Sequence, residues 1–377
     1  MIAKEAVVPA ASWRGSHDAL RSFVNAATFG RDARRSLGRI AAMPLLIGVD
    51  EAGYGPNLGP LVIAATVWHV PRLPHADLYE TLGSGVSRDA AQAAASGRVA
   101  IADSKLLYQP QRGLADLERN VIAALMACDL LRPSFHALLA AVESTAIWER
   151  SHSTTPSRRK RTKFAGMIPW HEAHDESLPV AAEPRDCADG AKALTAASAQ
   201  AQVELIGIRV AIVQPERFND LVDAHDGKGT ALSETTLNLV AEVLARLPPE
   251  PTRIVCDKHG GRNRYLELLQ GRFGDDLVEV RREGREASEY RWGPAERRVE
   301  ICFRTCGEQF LPAALASMAA KYVRELSMRA FNAFWQAELP ALRPTAGYPG
   351  DAERFRRDIR AVQRRLGIPD RVLWRNR

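Results

Sequence analysis

Apolar residues recur along this chain with two different periods. A run at 45–50, Leu-Leu-Ile-Gly-Val-Asp, and a second at 61–70 are short and β-rich, and the Gly- and Pro-rich stretch 53–60 divides them. That pattern predicts strand, tight connection, strand. Residues 114–128 and 135–142 carry apolar side chains at helical spacing, and 230–247 does so more clearly. Further strands are predicted at 203–213, at 253–256 with Asp257 closing the run, and at 299–303; a long helix is predicted over 312–338. Strands that come as a pair first and alternate with helices afterwards predict an α/β fold, a mixed central sheet flanked by helices.

The periodicity fails in two places. Residues 1–43 mix Ala, Ser and Arg without a sustained period and read as an N-terminal extension, with the ordered domain expected over 44–377. Residues 145–202 turn polar, basic and Ala/Ser-rich with scattered prolines, which predicts a basic insertion outside the core. Residues 327–377 are expected to form a C-terminal helical region.

Composition narrows the classes. The chain has 377 residues, enough for two average domains or one large one, with 51 Lys and Arg against 45 Asp and Glu. So small an excess matters only where it clusters, and it does. Residues 157–163 read Ser-Arg-Arg-Lys-Arg-Thr-Lys, and 353–377 hold nine arginines against three acids. Each run is either a solvated face or a contact for a polyanion such as nucleic acid. Five cysteines without a tight framework argue against disulfides and for a reducing compartment. The first 40 residues lack the apolar core of a signal peptide, and no run of roughly 18 apolar residues occurs. A soluble, cytoplasmic chain with no membrane contact is expected.

Candidate chemistry lies at strand ends. Asp50 and Glu51 follow an apolar strand directly, and Asp257 closes another. Neighbouring side chains on extended backbone point to opposite faces, so a shared site for Asp50 and Glu51 calls for a bend, which Gly53 and Gly55 make easy. Glu325 stands on a helix whose other face is Leu315, Met318, Ala319 and Tyr322. If these carboxylates converge, their repulsion requires hard cations, and oxygen-only ligands select Mg²⁺ or Mn²⁺. Taken singly, each acid is equally at home as a helix cap or surface residue.

What joins them is a resemblance. Gly48-Val-Asp-Glu-Ala-Gly-Tyr-Gly-Pro56, followed by Gly59-Pro-Leu-Val-Ile-Ala-Ala65, closely resembles the opening motif of type 2 ribonucleases H, Gly-hydrophobic-Asp-Glu-Ala-Gly-Arg-Gly-Pro. Asp103-Ser-Lys-Leu-Leu107 is similar to the family's Asp-Ser-Lys-Lys-Leu, and Arg253-Ile-Val-Cys-Asp257 to its Val-Asp-Gly strand. Ala316-Ser-Met-Ala-Ala-Lys-Tyr-Val-Arg-Glu325 matches Ala-Ser-Ile-hydrophobic-Ala-Lys-Val-Thr-Arg-Asp in spacing, and Ala346-Gly-Tyr-Pro-Gly350 is similar to Lys-Gly-Tyr-Gly. The matches occur in family order over roughly residues 45–140 and 203–360.

The resemblance implies an RNase H-like fold and a metal-dependent endonuclease that hydrolyses the RNA strand of RNA–DNA hybrids, or ribonucleotides embedded in DNA. Two Mg²⁺ or Mn²⁺ ions about 4 Å apart would clamp the attacking and leaving oxygens. Asp50, Glu51, Asp257 and Glu325 become the catalytic, metal-binding carboxylates. Gly53, Tyr54, Gly55 and Tyr348 become readers of the 2′-hydroxyl and sugar, and Ser104, Lys105, Ser317 and Lys321 further substrate contacts. The expected partner is a hybrid or ribonucleotide-containing duplex, bound by a monomer.

Departures from the family pattern mark a divergent member. Tyr54 stands for the arginine and removes a fixed positive charge, Glu325 stands for aspartate, and Lys258 replaces the glycine after Asp257. Lys258 or His259 is a candidate to supply the charge lost at Tyr54. Other readings are weaker. A dinucleotide-binding turn at Gly53, Gly55 and Gly59 fails because Asp50 and Glu51 would repel a pyrophosphate. Cys256, His259, Cys302 and Cys306 make a conceivable zinc set. A non-catalytic nucleic-acid-binding protein, or a nuclease of the same fold directed at DNA structure, also remains open; retention of clustered carboxylates opposes the former, since a pure binding surface gains nothing from anions facing phosphate.

Overall fold

Strand β1, Leu45–Ala52, alternates its side chains between two cores. Leu46 enters one, while Leu45, Ile47 and Val49 enter the other. β2, Leu61–His69, divides the same way, with Val62, Ala64 and Trp68 on the first side and Ile63, Ala65 and Val67 on the second. A sheet with both faces covered is what such fully apolar strands require. The computed structural model describes residues 44–71, 77–144, 168–225 and 227–376. The N-terminal extension 1–43 and the basic run 157–163 lie outside them.

Two short strands, β3 Val86–Ser87 and β4 Val99–Ala100, pair with each other in a small ladder. The main sheet continues with β5 Glu204–Val213, β6 Thr252–Asp257, β7 Glu279–Glu283, β8 Ala287–Trp292 and β9 Val299–Arg304. Its order is β5-β2-β1-β6-β9-β8-β7. β1, β6 and β9 run parallel at the centre, and the outer pairs are antiparallel, so the expected mixed sheet flanked by helices is the one observed.

On the first face lie α1 Ala115–Ala127, α2 Phe135–Val142 and α3 Pro184–Ala201, with α5 Lys228–Arg246 covering the second beside α4 Pro215–His225 and α6 Leu266–Arg272. The 28-residue α7, Leu311–Glu338, crosses β1 and β2 on the first face. Gly48 makes that crossing possible: a Cβ there would stand 2.0 Å from the Pro312 carbonyl carbon. Thr66 Oγ1 donates to the Pro312 carbonyl at 2.8 Å and fixes the same contact. α8, Pro349–Leu366, closes a third cluster with Phe331, Trp335, Phe355 and Trp170.

The expected insertion is corrected over its second half. α3 buries Cys187, Ala191, Leu194 and Ala197 against α1. Its apolar face is made largely of alanine, and a Cβ at Gly190 would lie 3.2 Å from the Ala123 Cβ, so small side chains let two helices approach closely where a hydrophobicity pattern registers little.

Candidate active site

The central parallel strands deliver their acids to one edge. Val49 and Cys256 are the last paired residues of β1 and β6, so Asp50 and Asp257 leave the ladder side by side. Asp257 in turn pairs with Arg304 of β9, and the chain beyond β9 turns through Gly307–Gln309, carrying Glu308. The carboxyl ends of parallel strands are where α/β sheets bind ligands. No bend separates Asp50 from Glu51. The strand runs on to Ala52 with Asp50 opposite Ala64 and Glu51 opposite Ile63, and the turn begins at Gly53 with φ +87°.

Each of these acids is held against its own charge. Burial pushes the Asp50 carboxyl up to about 7; a hydrogen bond from Ser317 pulls the other way, and Asp257 and Glu308 add repulsion. Asp50 Oδ1 also accepts the Glu51 backbone N–H at 2.8 Å. Burial, then Asp50 and Asp257, lift Glu51 well above the ordinary carboxylate range. Asp257 is raised by burial and by Glu308, while the Gly307 N–H, 3.0 Å from Oδ1, and the charge of Lys105 restrain the rise. Packing enforces the Gly307 contact, since a Cβ there would lie 3.1 Å from the Asp257 Cα.

Glu325 keeps different company. Its Oε2 accepts the Tyr108 hydroxyl at 2.8 Å, and its Oε1 accepts Lys321 Nζ at 2.6 Å and Arg324 Nη1 at 3.4 Å. It lies eight residues beyond Ser317, or about 12 Å along the helix axis at 1.5 Å per residue. Besides Glu51, Glu308 is a carboxylate that interacts with both Asp50 and Asp257. The sequence reading pointed to Glu325 and did not single out Glu308. The available signal was Cys-Gly-Glu following a predicted strand after two intervening residues, a third acid beyond a third strand end.

The remaining expected residues divide into two groups. Ser104 and Ser317 join hydroxyls at 3.3 Å beside Asp50, and Lys105 reaches Asp257 electrostatically. Lys321 lies 4.3 Å from the centre of the Tyr108 ring, and Tyr348, 53% exposed, acts on the same phenol. Gly53 rests on Arg324, whose Nε would be 2.5 Å from a Cβ, while Gly55 is open. Tyr54 is half-buried between Glu51 and Arg262.

Neither candidate for the charge lost at Tyr54 can supply it. Lys258 is buried with Nζ donating to the Arg262 and Gly284 carbonyls and to Asn263 Oδ1. His259 is buried among Tyr265 and Phe303, its Nδ1 2.9 Å from Ser233 Oγ, and burial drives its pKa down to about 3, which keeps it neutral. The zinc set does not assemble either. Cys302 pairs opposite Val255, so it faces away from Cys256, and among the described residues no three His, Cys, Asp or Glu side chains stand close enough to cage an ion unaided.

No family model matches the chain, and a search of curated proteins finds no match. Solved structures with a similar chain course include an RNase HII of Archaeoglobus fulgidus in complex with PCNA, at 14% identity over 88% of this chain and 94% of that one, TM-score 0.40. A ribonuclease H2 of Pyrococcus horikoshii matches at 14% identity over 87% and 92%, TM-score 0.40. The Bst RNase HIII in complex with Mn²⁺ matches at 16% over 88% and 66%, TM-score 0.40.

Proposed function

We propose that this chain is a divalent-metal-dependent endonuclease that cleaves the RNA strand of RNA–DNA hybrids or ribonucleotides embedded in DNA. The observation that carries the reading is that Asp50 and Asp257 lie side by side at one edge of three adjacent parallel strands, with Glu308 past the end of the third and acting electrostatically on both, while burial and repulsion raise the Asp50 and Asp257 carboxyls. An all-oxygen set of this kind fits Mg²⁺ or Mn²⁺, which takes one or two carboxylates and keeps several waters, so a complete protein cage is not needed. Glu308 takes the place first given to Glu325. When bound, such an ion supplies positive charge at the scissile phosphate.

The chain's own groups prepare the site. Ser317 donates to Asp50 and favours its carboxylate, and the Gly307 N–H does the same for Asp257. Lys105 brings a cation to the acidic edge, where a phosphate needs one. The turn at Gly53 to Gly55 follows Glu51 and leaves Gly55 open, and with the exposed Tyr348 it is the candidate reader of a ribose hydroxyl, the one group that separates the two strands chemically. Incubating the protein with Mg²⁺ or Mn²⁺ and three duplexes tests this: hybrid, DNA with a single ribonucleotide, and all-DNA. Cleavage confined to ribonucleotide-containing duplexes is expected. Cleavage of plain DNA at equal rate, or of none, rejects it.

A further inference from the structure

Bordering Tyr54 lies an open cleft of about 610 Å³. Tyr54 and Gly229 form one wall, and the loop from Gly260 to Arg264 forms the other. A Cβ on Gly229 would stand 3.9 Å from the Tyr54 hydroxyl, and Lys228 Nζ lies 5.3 Å from the centre of the Tyr54 ring, so the tyrosine packs on the first turn of α5.

The cleft is cationic. Arg262 Nη2 donates to Thr230 Oγ1 at 2.8 Å, which anchors one end of the guanidinium, and its charge acts on the Tyr54 phenol. Its Nε is buried with no hydrogen-bond partner among the described residues. A buried donor left unpaired is costly, so an acceptor that reached it as the exposed part of the side chain shifted would be held firmly. Arg264 adds a second guanidinium at the rim, its side chain 90% exposed. None of the described residues lining the cleft is Asp or Glu.

The loop also leaves backbone bare. Gly260 has φ +61°, where glycine is favoured. Gly261 has no such need, and a Cβ there would meet nothing within 4 Å, so nothing inside the fold requires glycine at that position. Close approach by a ligand from the cleft side would.

Fixed guanidinium groups, an orphan N–H and uncovered backbone suit a tetrahedral, multiply accepting anion, and the phosphodiester is the one that a duplex engaged at Asp50 would bring here. We propose that the cleft takes a backbone phosphate of the bound duplex next to the one being cut, gripped by Arg262, with Gly261 allowing the strand to close in. The proposal rests on the nuclease reading. It places across the cleft the charge that Tyr54 lacks.

The test is the affinity of a fluorescent RNA–DNA hybrid, measured by anisotropy in Ca²⁺ over a series of salt concentrations. Arg262→Gln should weaken binding about tenfold and reduce the slope of log Kd against log salt by about one. Gly261→Ala, melting at the wild-type temperature, should weaken it severalfold. Arg262→Lys should restore the salt slope but not the full affinity. Should Arg262→Gln lower the melting temperature, Gly261→Ala decides alone. Wild-type affinity and slope in Gly261→Ala and in a stably folded Arg262→Gln overturn the proposal and leave the nuclease reading standing. A wild-type protein that binds no hybrid removes the nuclease reading, and this proposal with it.

Discussion

Asp50 and Asp257 lie towards the carboxyl ends of two neighbouring parallel strands and Glu308 past the end of a third, and the sequence singled out only the first two. Asp50 and Asp257 close apolar runs directly. Glu308 stands four residues past its strand, after Cys306 in a left-handed conformation with φ +59°. The spacing match along α7 offered Glu325 instead, because a match in spacing carries no information about which way a side chain is drawn. The two glutamates separate experimentally. Even partners that only orient a metal ligand contribute about 10–100-fold, so Glu308→Gln should lower kcat/KM by roughly a hundredfold or more. Glu325→Gln keeps one acceptor oxygen for Lys321 and can turn its amide N–H to the Tyr108 hydroxyl oxygen, and should lose less than about tenfold. The reverse order in steady-state rates would restore Glu325 to the cluster. A second prediction concerns proton binding at Asp50. Its folded pKa, about 7, lies above the ordinary 3.8, so between those values the folded chain holds a proton that the unfolded chain releases. Stability in chelator should therefore fall as pH rises through that window. Asp50→Asn should flatten the fall, and melting curves from pH 4.5 to 8 that decline in parallel would contradict it.

At the level of elements, strand and helix periods were readable wherever apolar residues alternated or spiralled, and β1, β2, β6 and α7 were found to within a residue or two at each end. The sequence hid elements that hold themselves by other means. α3 uses alanine and glycine to pack closely, and β7, Glu-Val-Arg-Arg-Glu, is an exposed edge strand whose charges mask any alternation. Gly48 is the element-level contact on which the site depends, because it lets the start of α7 press on β1 and so brings Ser317 to Asp50. A methyl 2.0 Å from the Pro312 backbone has no side chain to push aside. Gly48→Ala should destabilise the fold by about 3 kcal/mol or more, beyond ordinary overpacking, and should weaken activity in whatever folds. Chemical denaturation with an unchanged midpoint would show that β1 and α7 can part without loss.

Over the whole molecule, charge is arranged less simply than composition suggests. Four of the nine arginines of the C-terminal run are paired with acids within the fold: Arg354 with Asp351 and Asp358, Arg356 with Asp370, Arg365 with Glu338, and Arg371 with Asp220. That region is better read as a self-paired surface over the third core cluster than as a grip for a polyanion. The run at 157–163 is the remaining candidate, and removing it should flatten the dependence of log affinity on log salt for hybrid duplex; an unchanged slope would make it a solvated loop. The account stands most directly on the chemistry at Asp50. The deciding measurement is the initial rate of RNA–DNA hybrid cleavage by wild type and Asp50→Asn side by side, in Mg²⁺, in Mn²⁺ and in chelator. The account predicts cleavage by wild type only with metal, and none by Asp50→Asn even though it folds and binds the hybrid. Equal cleavage by the two proteins, or cleavage by wild type in chelator, would contradict it.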